Sequence, residues 1–204
     1  MRLFLLRLIA FATLCTALTF VGSAEGTTLV VTSTADSGMG SLRATLAAAN
    51  DGDTIQFDPA LNGQTIGLTT DELVIDNDIT IQGPGPDLLA VEKIPAITFF
   101  RIFHILPSHN VTIAGIRISK GNNSGEPGAG VFNEATLTMD NCIVSENVME
   151  GGGSGGGIAS FGTLTIVNSI VTENWATSGS GSPTGRGGGI SGDQTTIINS
   201  KIHQ

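Results

Sequence analysis

Thr163-Leu-Thr-Ile-Val-Asn-Ser-Ile-Val171 is a nine-residue stretch that recurs, with substitutions, three more times in this chain. A short alternating strand that recurs at intervals of 26, 27 and 31 residues is typical of a β-solenoid, in which each coil buries its apolar face against the next. The repeat therefore predicts an all-β fold built from stacked coils. The other copies are Asn110-Val-Thr-Ile-Ala-Gly-Ile-Arg-Ile118, Thr136-Leu-Thr-Met-Asp-Asn-Cys-Ile-Val144 and Gln194-Thr-Thr-Ile-Ile-Asn-Ser-Lys-Ile202.

The first strand of each coil carries a threonine between two residues that are mostly apolar. Because side chains alternate between the two faces of a strand, the flanking residues are predicted to face the core and the threonines to face outward. Five such strands predict about five coils in one parallel sheet. The threonines are Thr80, Thr112, Thr138, Thr165 and Thr196, flanked by Ile79 and Ile81, Val111 and Ile113, Leu137 and Met139, Leu164 and Ile166, and Thr195 and Ile197.

A bend is predicted two residues after each inner pair, because Gly or Asn stands there every time and both tolerate a positive φ. Asn141, Asn168 and Asn199 are expected to stack at equivalent bends as a hydrogen-bonded ladder, with side chains in or beside the coil interior. These asparagines could instead be ligands for a substrate. The turn-forming interpretation is favoured, since the position repeats and a binding site would not.

A second strand follows each bend, and a second bend is predicted at Gly121, Asn147 and Asn174. Cys142 lies at an inner position of this second strand that later coils fill with serine. No histidine is placed to activate it, so the thiol is predicted to be a small buried group and not a nucleophile. The inward residues of the second strand are Ile118, Val144, Val171 and Ile202.

Glycine-rich loops at residues 121–130, 151–157 and 175–189 separate the repeats, and each leads into a predicted third strand at Val131, Ile158 or Ile190. A phosphate-binding loop would need a following helix and a Gly-Lys-Ser/Thr sequence, and neither is present. These loops are therefore predicted to be tight corners.

The N-terminal part of the chain divides into two predicted segments ahead of the coils. Residues 1–24 have a basic start, an uncharged apolar run and small residues up to Ala24, which predicts a secretory signal peptide. A membrane anchor is the alternative, but the run is shorter than the ~20 residues that span a bilayer. Residues 25–57 are predicted to cap the solenoid with a strand and a helix, the latter beginning after Ser41 as N-cap.

Residues 58–204 are predicted to form the coils. The last coil has no third strand, so further coils or a C-terminal anchor are expected downstream. No membrane span is predicted in the mature chain. A single cysteine, Cys142, remains after cleavage, so stability is expected to come from stacked coils and not from disulfides.

The charge of the mature chain restricts its partners. All 18 acidic residues and seven of the nine basic ones follow residue 24, which gives a formal net charge of −11. An acidic surface without a basic patch excludes nucleic acid and argues against anionic membranes as partners. Polysaccharide or a host or cell surface is the expected partner.

The N-terminal residues resemble a known family. Asp36, Gly40-Ser-Leu-Arg43, Ala49-Asn50 and Gly52-Asp-Thr-Ile55 are similar to the N-terminal segment of secreted bacterial β-helix proteins with the CSLREA-type motif, which often carry the choice-of-anchor label. Gly40 replaces the cysteine of that motif, and Ala44-Thr45 replace Glu-Ala.

The repeats carry a second resemblance. Val144-Ser-Glu-Asn147 followed by Gly-Gly-Gly-Ile158, and Val171-Thr-Glu-Asn174 followed by Gly-Gly-Gly-Ile190, are similar to the repeats of polymorphic outer-membrane proteins. Together the resemblances cover nearly all of residues 27–204. They imply a right-handed parallel β-helix of the pectin-lyase-like type, secreted or displayed at the outer-membrane surface. Lyases, hydrolases, adhesins and passengers without known activity share that fold, so the resemblance predicts architecture better than activity.

Two functions follow as hypotheses. The first is a non-catalytic, adhesin-like β-helix for adhesion or carbohydrate contact, because no reactive cluster interrupts the repeat. The alternative is a polysaccharide lyase or glycoside hydrolase, which needs paired carboxylates, or carboxylates that hold calcium beside a base. No catalytic residue, cofactor or metal site is predicted. The residues considered for such a site are Asp76, Asp78, Asp140, Glu146, Glu173, Arg117 and Lys120.

Arg117 and Lys120 are the weak candidates for ligand binding. Each breaks its column, because Ile143 and Ile170 follow Arg117 in later coils, and Glu146 and Glu173 follow Lys120. Their proximity to acids of the next coil predicts a weak surface salt bridge as the ordinary explanation. His104, His109 and His203 share no metal-ligand spacing. Ice binding through the outward threonines is a third, minor hypothesis.

Overall fold

The computed structural model describes residues 25–95, 98–177 and 187–203. The predicted signal peptide, the middle of the last glycine-rich loop and Gln204 lie outside these residues. Short strands dominate the described chain, together with one α-helix, α1 (Leu42–Ala48), and a 3-10 turn at Pro59–Leu61. Within the described residues, no helix is both long enough and apolar enough to cross a membrane.

The strands follow one another with short connections. They are β1 Thr28–Val31, β2 Thr54–Phe57, β3 Gln64–Leu68, β4 Leu73–Ile75, β5 Thr80–Gln82, β6 Leu89–Lys93, β7 Phe103–Ile105, β8 Asn110–Ala114, β9 Arg117–Ser119, β10 Asn122–Ser124, β11 Val131–Asn133, β12 Thr136–Asp140, β13 Ile143–Ser145, β14 Val148–Glu150, β15 Ile158–Val167, β16 Ile170–Thr172, β17 Trp175–Ala176, β18 Ile190–Ile198 and β19 Lys201–Ile202.

These strands stack into four parallel faces. The first face is β1-β2-β5-β8-β12-β15-β18, the second is β3-β6-β9-β13-β16-β19, the third is β10-β14-β17, and the fourth is β4-β7-β11-β15-β18. The long strands β15 and β18 run around a corner, so their first residues lie in the fourth face and their last residues in the first. This arrangement confirms the predicted parallel β-helix. Its handedness stays a prediction.

The solenoid has about six turns, one more than the five that the repeat predicts. The additional turn begins at β2, where Thr54, Ile55 and Gln56 pair with Thr80, Ile81 and Gln82 of β5. The sequence predicts a turn into the first coil at these residues. The 3-10 turn at Pro59–Leu61 follows β2 where the later repeats have an Asn-containing bend. The sequence of this turn therefore does not match the repeat.

The predicted threonine column is confirmed. Thr54, Thr80, Thr112, Thr138, Thr165 and Thr196 are aligned through consecutive parallel pairings. Their neighbours Val111, Leu137 and Leu164 are at most 3% exposed, as the alternation of a strand requires. In the last described turn, Ile197 aligns with the buried Ile166 and Ile202 aligns with the buried Val171, but these two residues are 47% and 39% exposed.

The first bend has the predicted backbone but not the predicted side-chain position. Asn141, Asn168 and Asn199 have φ values of 49°, 48° and 46°. All three side chains are exposed, so their predicted placement in or beside the coil interior is wrong. The residue that follows each asparagine faces the core instead, which turns the asparagine outward. Asn199 Nδ2 donates to Asn168 Oδ1 over 2.7 Å, and Asn168 Nδ2 donates to Asp140 Oδ1 over 3.0 Å.

The second bend contains the buried asparagines. The left-handed residues there are Lys120, Glu146 and Glu173, with φ of 60°, 58° and 55°, each one position before the residue that the sequence marked. Asn147 is fully buried and Asn174 is 1% exposed. Asn147 Nδ2 donates to Ile118 O and to Asn174 Oδ1, and Asn174 Nδ2 donates to Val144 O and Thr172 O.

Glycines face this buried pair across the coil. A Cβ on Gly130 would lie 2.9 Å from Asn147 Nδ2, and one on Gly157 would lie 2.9 Å from Asn174 Cγ. Real Cβ atoms do not approach so closely. Each such Cβ would lie nearer still to a backbone oxygen of the next turn, Gly157 O at 2.5 Å or Gly189 O at 2.6 Å. Glycine at these positions therefore permits both the close stacking of the turns and the burial of the asparagine that follows in the chain.

The larger of two hydrophobic clusters among the described residues runs along the solenoid from Val31 to Val171, and the smaller one includes Met149. The predicted N-terminal strand and helix are present and contribute residues to the larger cluster. Ser41 caps α1 by accepting a hydrogen bond from Ala44 N over 3.2 Å, and Leu42 and Leu46 are buried. The helix contacts β1 and β4. Its function as a cap of the solenoid end stays a prediction.

The residues that resemble the CSLREA-type motif tie this N-terminal segment to the solenoid. Asp36 Oδ1 accepts from Arg43 Nη2 over 2.6 Å, while Asp36 Oδ2 accepts from the backbone and hydroxyl groups of Thr69 and Thr70. Burial alone would raise the pKa of Asp36, but the hydrogen bonds from Thr70 and Arg43 outweigh it and lower the pKa to about 2.

Candidate functional site

The fourth face carries a chain of polar contacts built from three successive turns. Glu72 stands just before β4, His104 is the outward residue of β7, and Glu134 follows β11. His104 Nδ1 lies 3.0 Å from Glu72 Oε1, and His104 Nε2 lies 2.9 Å from Glu134 Oε2. Parallel stacking produces this arrangement because residues about one turn apart in sequence become neighbours on one face.

Arg101 closes one end of this chain. Its Nε lies 2.8 Å from Glu72 Oε2, and its guanidinium carbon lies 4.9 Å from the ring centroid of Phe132. The Arg101 side chain is 8% exposed. Its Nη1 is buried and has no hydrogen-bond partner among the described residues. The Nε atom forms an ion pair with Glu72 but lacks hydrogen-bond geometry. The hydrogen-bonding capacity of this guanidinium is therefore only partly used within the described residues.

Two aromatic rings extend the site toward the next turn. Phe132 is 7% exposed and lies beside His104, with ring centroids 5.0 Å apart. Phe161 packs edge-on against Phe132, with centroids 5.1 Å apart and an interplanar angle of 90°. Phe161 itself is 72% exposed. The buried ring therefore supports an exposed one, which is a geometry that aromatic pairs prefer.

Phe161 lines one of two shallow cavities in this region, and its chain neighbour Gly162 lines the second. One, of about 290 Å³, is lined by Ser160, Phe161, Ser191, Gly192, Asp193 and Gln194. The other, of about 320 Å³, is lined by residues that include Glu134, Asn110, Thr136 and Gly162, which is the neighbour of Phe161 in the chain. Both cavities present hydroxyl, amide and carboxylate groups, and the first also has the exposed ring of Phe161 in its wall. A binding surface of this composition can hold a small polar ligand and orient it.

The predicted ligand candidates Arg117 and Lys120 are on a different face. Arg117 Nη2 lies 3.4 Å from Asp87 Oδ1, and Lys120 Nζ lies 2.8 Å from Glu92 Oε2. Both acids belong to the preceding turn, whereas acids of the next turn were the expected partners. The hydrogen bond from Lys120 to Glu92 raises the pKa of Lys120, and the charge of Glu146 in the next turn adds to this effect. These two cations thus have the ion-pair role that was the ordinary explanation.

The other acids considered in the sequence are spread over the surface. Asp140 accepts from Asn168, while Glu146 and Glu173 are exposed at the left-handed bends. Cys142 is 1% exposed, and burial raises the pKa of its thiol to about 11. The predicted buried, unreactive environment of this cysteine is therefore present.

One group could hold a metal ion that the sequence analysis did not predict. Ligand atoms of Asp51, Asp78 and His109 all lie within 4.8 Å of one another. These carboxylates already have structural partners, because Asp51 accepts from Asp78 N and Asp78 accepts from Asn110 N over 2.9 Å each. The backbone hydrogen bond from Asn110 also lowers the pKa of Asp78. The hydrogen bonds between turns are sufficient to explain the cluster.

The cluster on the fourth face was not predicted from the sequence either. The histidines share no local ligand spacing, and the partners of His104 stand 32 and 30 residues away. Complementary residues one turn apart were the available signal. No known family model, curated protein or solved structure matches this chain.

Proposed function

We propose that this chain is a secreted or surface-displayed β-helix protein that contacts carbohydrate at its fourth face without turning it over. The observation that carries the proposal is Phe161, which is 72% exposed yet held in place by the buried ring of Phe132. An exposed aromatic face removes the apolar side of a sugar ring from water, and neighbouring polar groups bind its hydroxyls.

The polar groups around the ring support this proposal. Ser160, Ser191 and Gln194 line the cavity that contains Phe161, and Glu134 and Thr136 line the neighbouring cavity beside Gly162. Hydroxyl, amide and carboxylate groups supply both donors and acceptors for sugar hydroxyls. We call Phe161 and the residues that line these two cavities the Phe161 ridge. Its open cavities suit a polysaccharide chain that lies along the surface.

Secretion is the second part of the proposal. It rests on the basic start and the uncharged run of residues 1–24 and on the resemblance to secreted bacterial β-helix proteins. N-terminal sequencing of protein exported from a bacterial host tests this part. We expect a mature chain that begins at Glu25, and retention of residues 1–24 would contradict it.

The binding proposal is tested with a panel of immobilised glycans and three proteins. Wild type is expected to retain at least one glycan, and Phe161→Ala is expected to lose that retention. Trp175→Ala is the matched control, because Trp175 is also an exposed aromatic residue, at 55%, but lies on the third face. Equal binding by wild type and Phe161→Ala would contradict the proposal. Release of sugar products would favour the lyase or hydrolase alternative.

A further inference from the structure

The charge around Phe161 restricts the class of carbohydrate. Asp193 lines the cavity that Phe161 also lines, and Glu134 lines the neighbouring cavity beside Gly162. Among the residues that the structure describes, no lysine or arginine lines either cavity, while His109 lines the cavity that contains Glu134. Arg101, the nearest cation of the cluster, is 8% exposed and faces Glu72. A ligand on Phe161 therefore meets the Asp193 carboxylate beside the ring, and a ligand that extends past Gly162 also meets Glu134, which contacts His104.

From this arrangement we infer that the Phe161 ridge binds a glycan that carries protonated amino groups, such as a glucosamine polymer, and discriminates against uronic acids. This inference rests on the proposed function and adds the ligand class to it. An ammonium group beside Asp193 or Glu134 gains a charge-assisted hydrogen bond, and one above Phe161 gains a cation–π contact. A uronate carboxylate would instead be placed against like charges.

The cavities favour a glycan over a basic peptide as the cationic ligand. Peptides usually bind by adding a strand to a sheet edge or by placing apolar anchors in a groove. The Phe161 ridge lies on the outward surface of the solenoid, and its cavities are lined largely by hydroxyl, amide and carboxylate groups. Those groups match sugar hydroxyls and amines better than peptide side chains.

The net charge of the molecule acts in the same direction. The formal net charge of the whole chain is −9, so the protein attracts polycations and repels acidic polymers over distances up to the Debye length. This long-range effect is common to every face of the solenoid. The contribution of the ridge is therefore measured by variants that change one carboxylate at a time, compared with an equivalent change elsewhere.

The test compares four soluble probes by calorimetry at low salt, at a pH where the glucosamine amine is protonated. The probes are a glucosamine oligosaccharide, its N-acetylated form, oligogalacturonate and oligolysine. We expect the glucosamine oligosaccharide to bind at least tenfold more tightly than the N-acetylated form. Glu134→Gln and Asp193→Asn should each reduce that ratio, and Phe161→Ala should weaken binding of both forms.

Asp87→Asn is the control for a general loss of negative charge, because the Asp87 side chain is 85% exposed on another face. This variant should leave the ratio of affinities for the glucosamine oligosaccharide and its N-acetylated form unchanged. Equal affinity for the amine and N-acetylated forms would overturn the inference and leave the proposed function standing. Oligolysine that binds as tightly as glucosamine would assign the ridge to basic peptides. No binding of any sugar would overturn both proposals.

Discussion

Asn147 donates a hydrogen bond from Nδ2 to Oδ1 of Asn174 over 2.9 Å, inside the coil. The same Asn174 oxygen accepts from the backbone N–H of Asn147, and Asn147 Oδ1 accepts from Gly121 N over 2.9 Å. Each amide thus satisfies backbone groups of the turn before it. A buried bend would otherwise leave these groups without partners, at about 1–3 kcal/mol each.

The first prediction concerns this buried pair. Asn147→Ala removes an acceptor for Gly121 N and a donor to Ile118 O, so we expect the free energy of unfolding to fall by about 2–4 kcal/mol. Urea unfolding followed by circular dichroism measures the change. Asn168→Gly is the control, since Asn168 is exposed at φ 48° and glycine accepts that backbone conformation. A larger loss in the control than in Asn147→Ala would contradict the prediction.

The second prediction concerns the strained bend beside that pair. Glu146 has a φ of 58°, which is unfavourable by roughly 1–2 kcal/mol for a residue with a Cβ. Glu146→Gly removes this strain but adds flexibility to the unfolded chain, so we expect a net gain of about 0.5–1 kcal/mol in unfolding free energy.

Glu146→Ala separates the backbone effect from the loss of the carboxylate. Alanine keeps the Cβ and therefore the strain, so its unfolding free energy should stay within about 0.5 kcal/mol of wild type. If Ala and Gly stabilise the protein equally, the effect comes from charge and the backbone explanation is wrong.

The coil could be predicted from the sequence because its columns repeat. The alignment of Thr112 with Thr138 and Thr165 follows from period-two alternation, and the structure has that register. The two asparagine columns could not be told apart in the same way. Asparagine suits both a left-handed bend and a buried amide, and Asn168 and Asn174 recur at the same period. The burial of one column depends on glycines such as Gly157, more than ten residues away across the coil.

The fourth-face cluster of Glu72, Arg101, His104 and Glu134 was also hard to predict, because its contacts connect residues that are distant in sequence. Its contacts connect residues such as Glu72 and His104 across one turn, and the loops between them vary in length. A local search around each histidine finds no pattern. The third face was also missed, because β10, β14 and β17 have only two or three residues each and carry no alternation signal.

The third prediction uses the pKa of Asp36, which is lowered to about 2 from the usual 3.8. The ionised carboxylate stabilises the fold by roughly 2 kcal/mol above pH 4, and this contribution is lost as the pH falls through 2. Asp36→Asn should lack this contribution. The difference in unfolding free energy between wild type and this variant should therefore be largest at pH 7 and should shrink toward low pH. Urea unfolding at pH 7, 4 and 2.5 measures it, with Asp87→Asn as control. A difference that is constant with pH would refute the prediction.

The fourth prediction is that the Cys142 thiol is unreactive in the folded protein. Burial raises its pKa to about 11, so little thiolate is present at neutral pH. The residue is also only 1% exposed, which limits access to the sulfur. A disulfide-exchange reagent at pH 8 should therefore modify Cys142 only after urea is added. Cys142→Ser identifies the signal, and rapid labelling of native wild type would contradict the burial of this site.

The last prediction is that the chain cleaves neither polygalacturonate nor other acidic glycans. Arg117 and Lys120 are the residues that would serve as a base over a sugar, and both face acids of the preceding turn. A catalytic lysine base needs a lowered pKa, whereas the hydrogen bond to Glu92 raises the pKa of Lys120. Arginine stays protonated in proteins. Incubation with each glycan, with and without calcium, should yield neither unsaturated products nor new reducing ends. Activity that Lys120→Ala or Arg117→Ala abolishes would show that the second face is an active site.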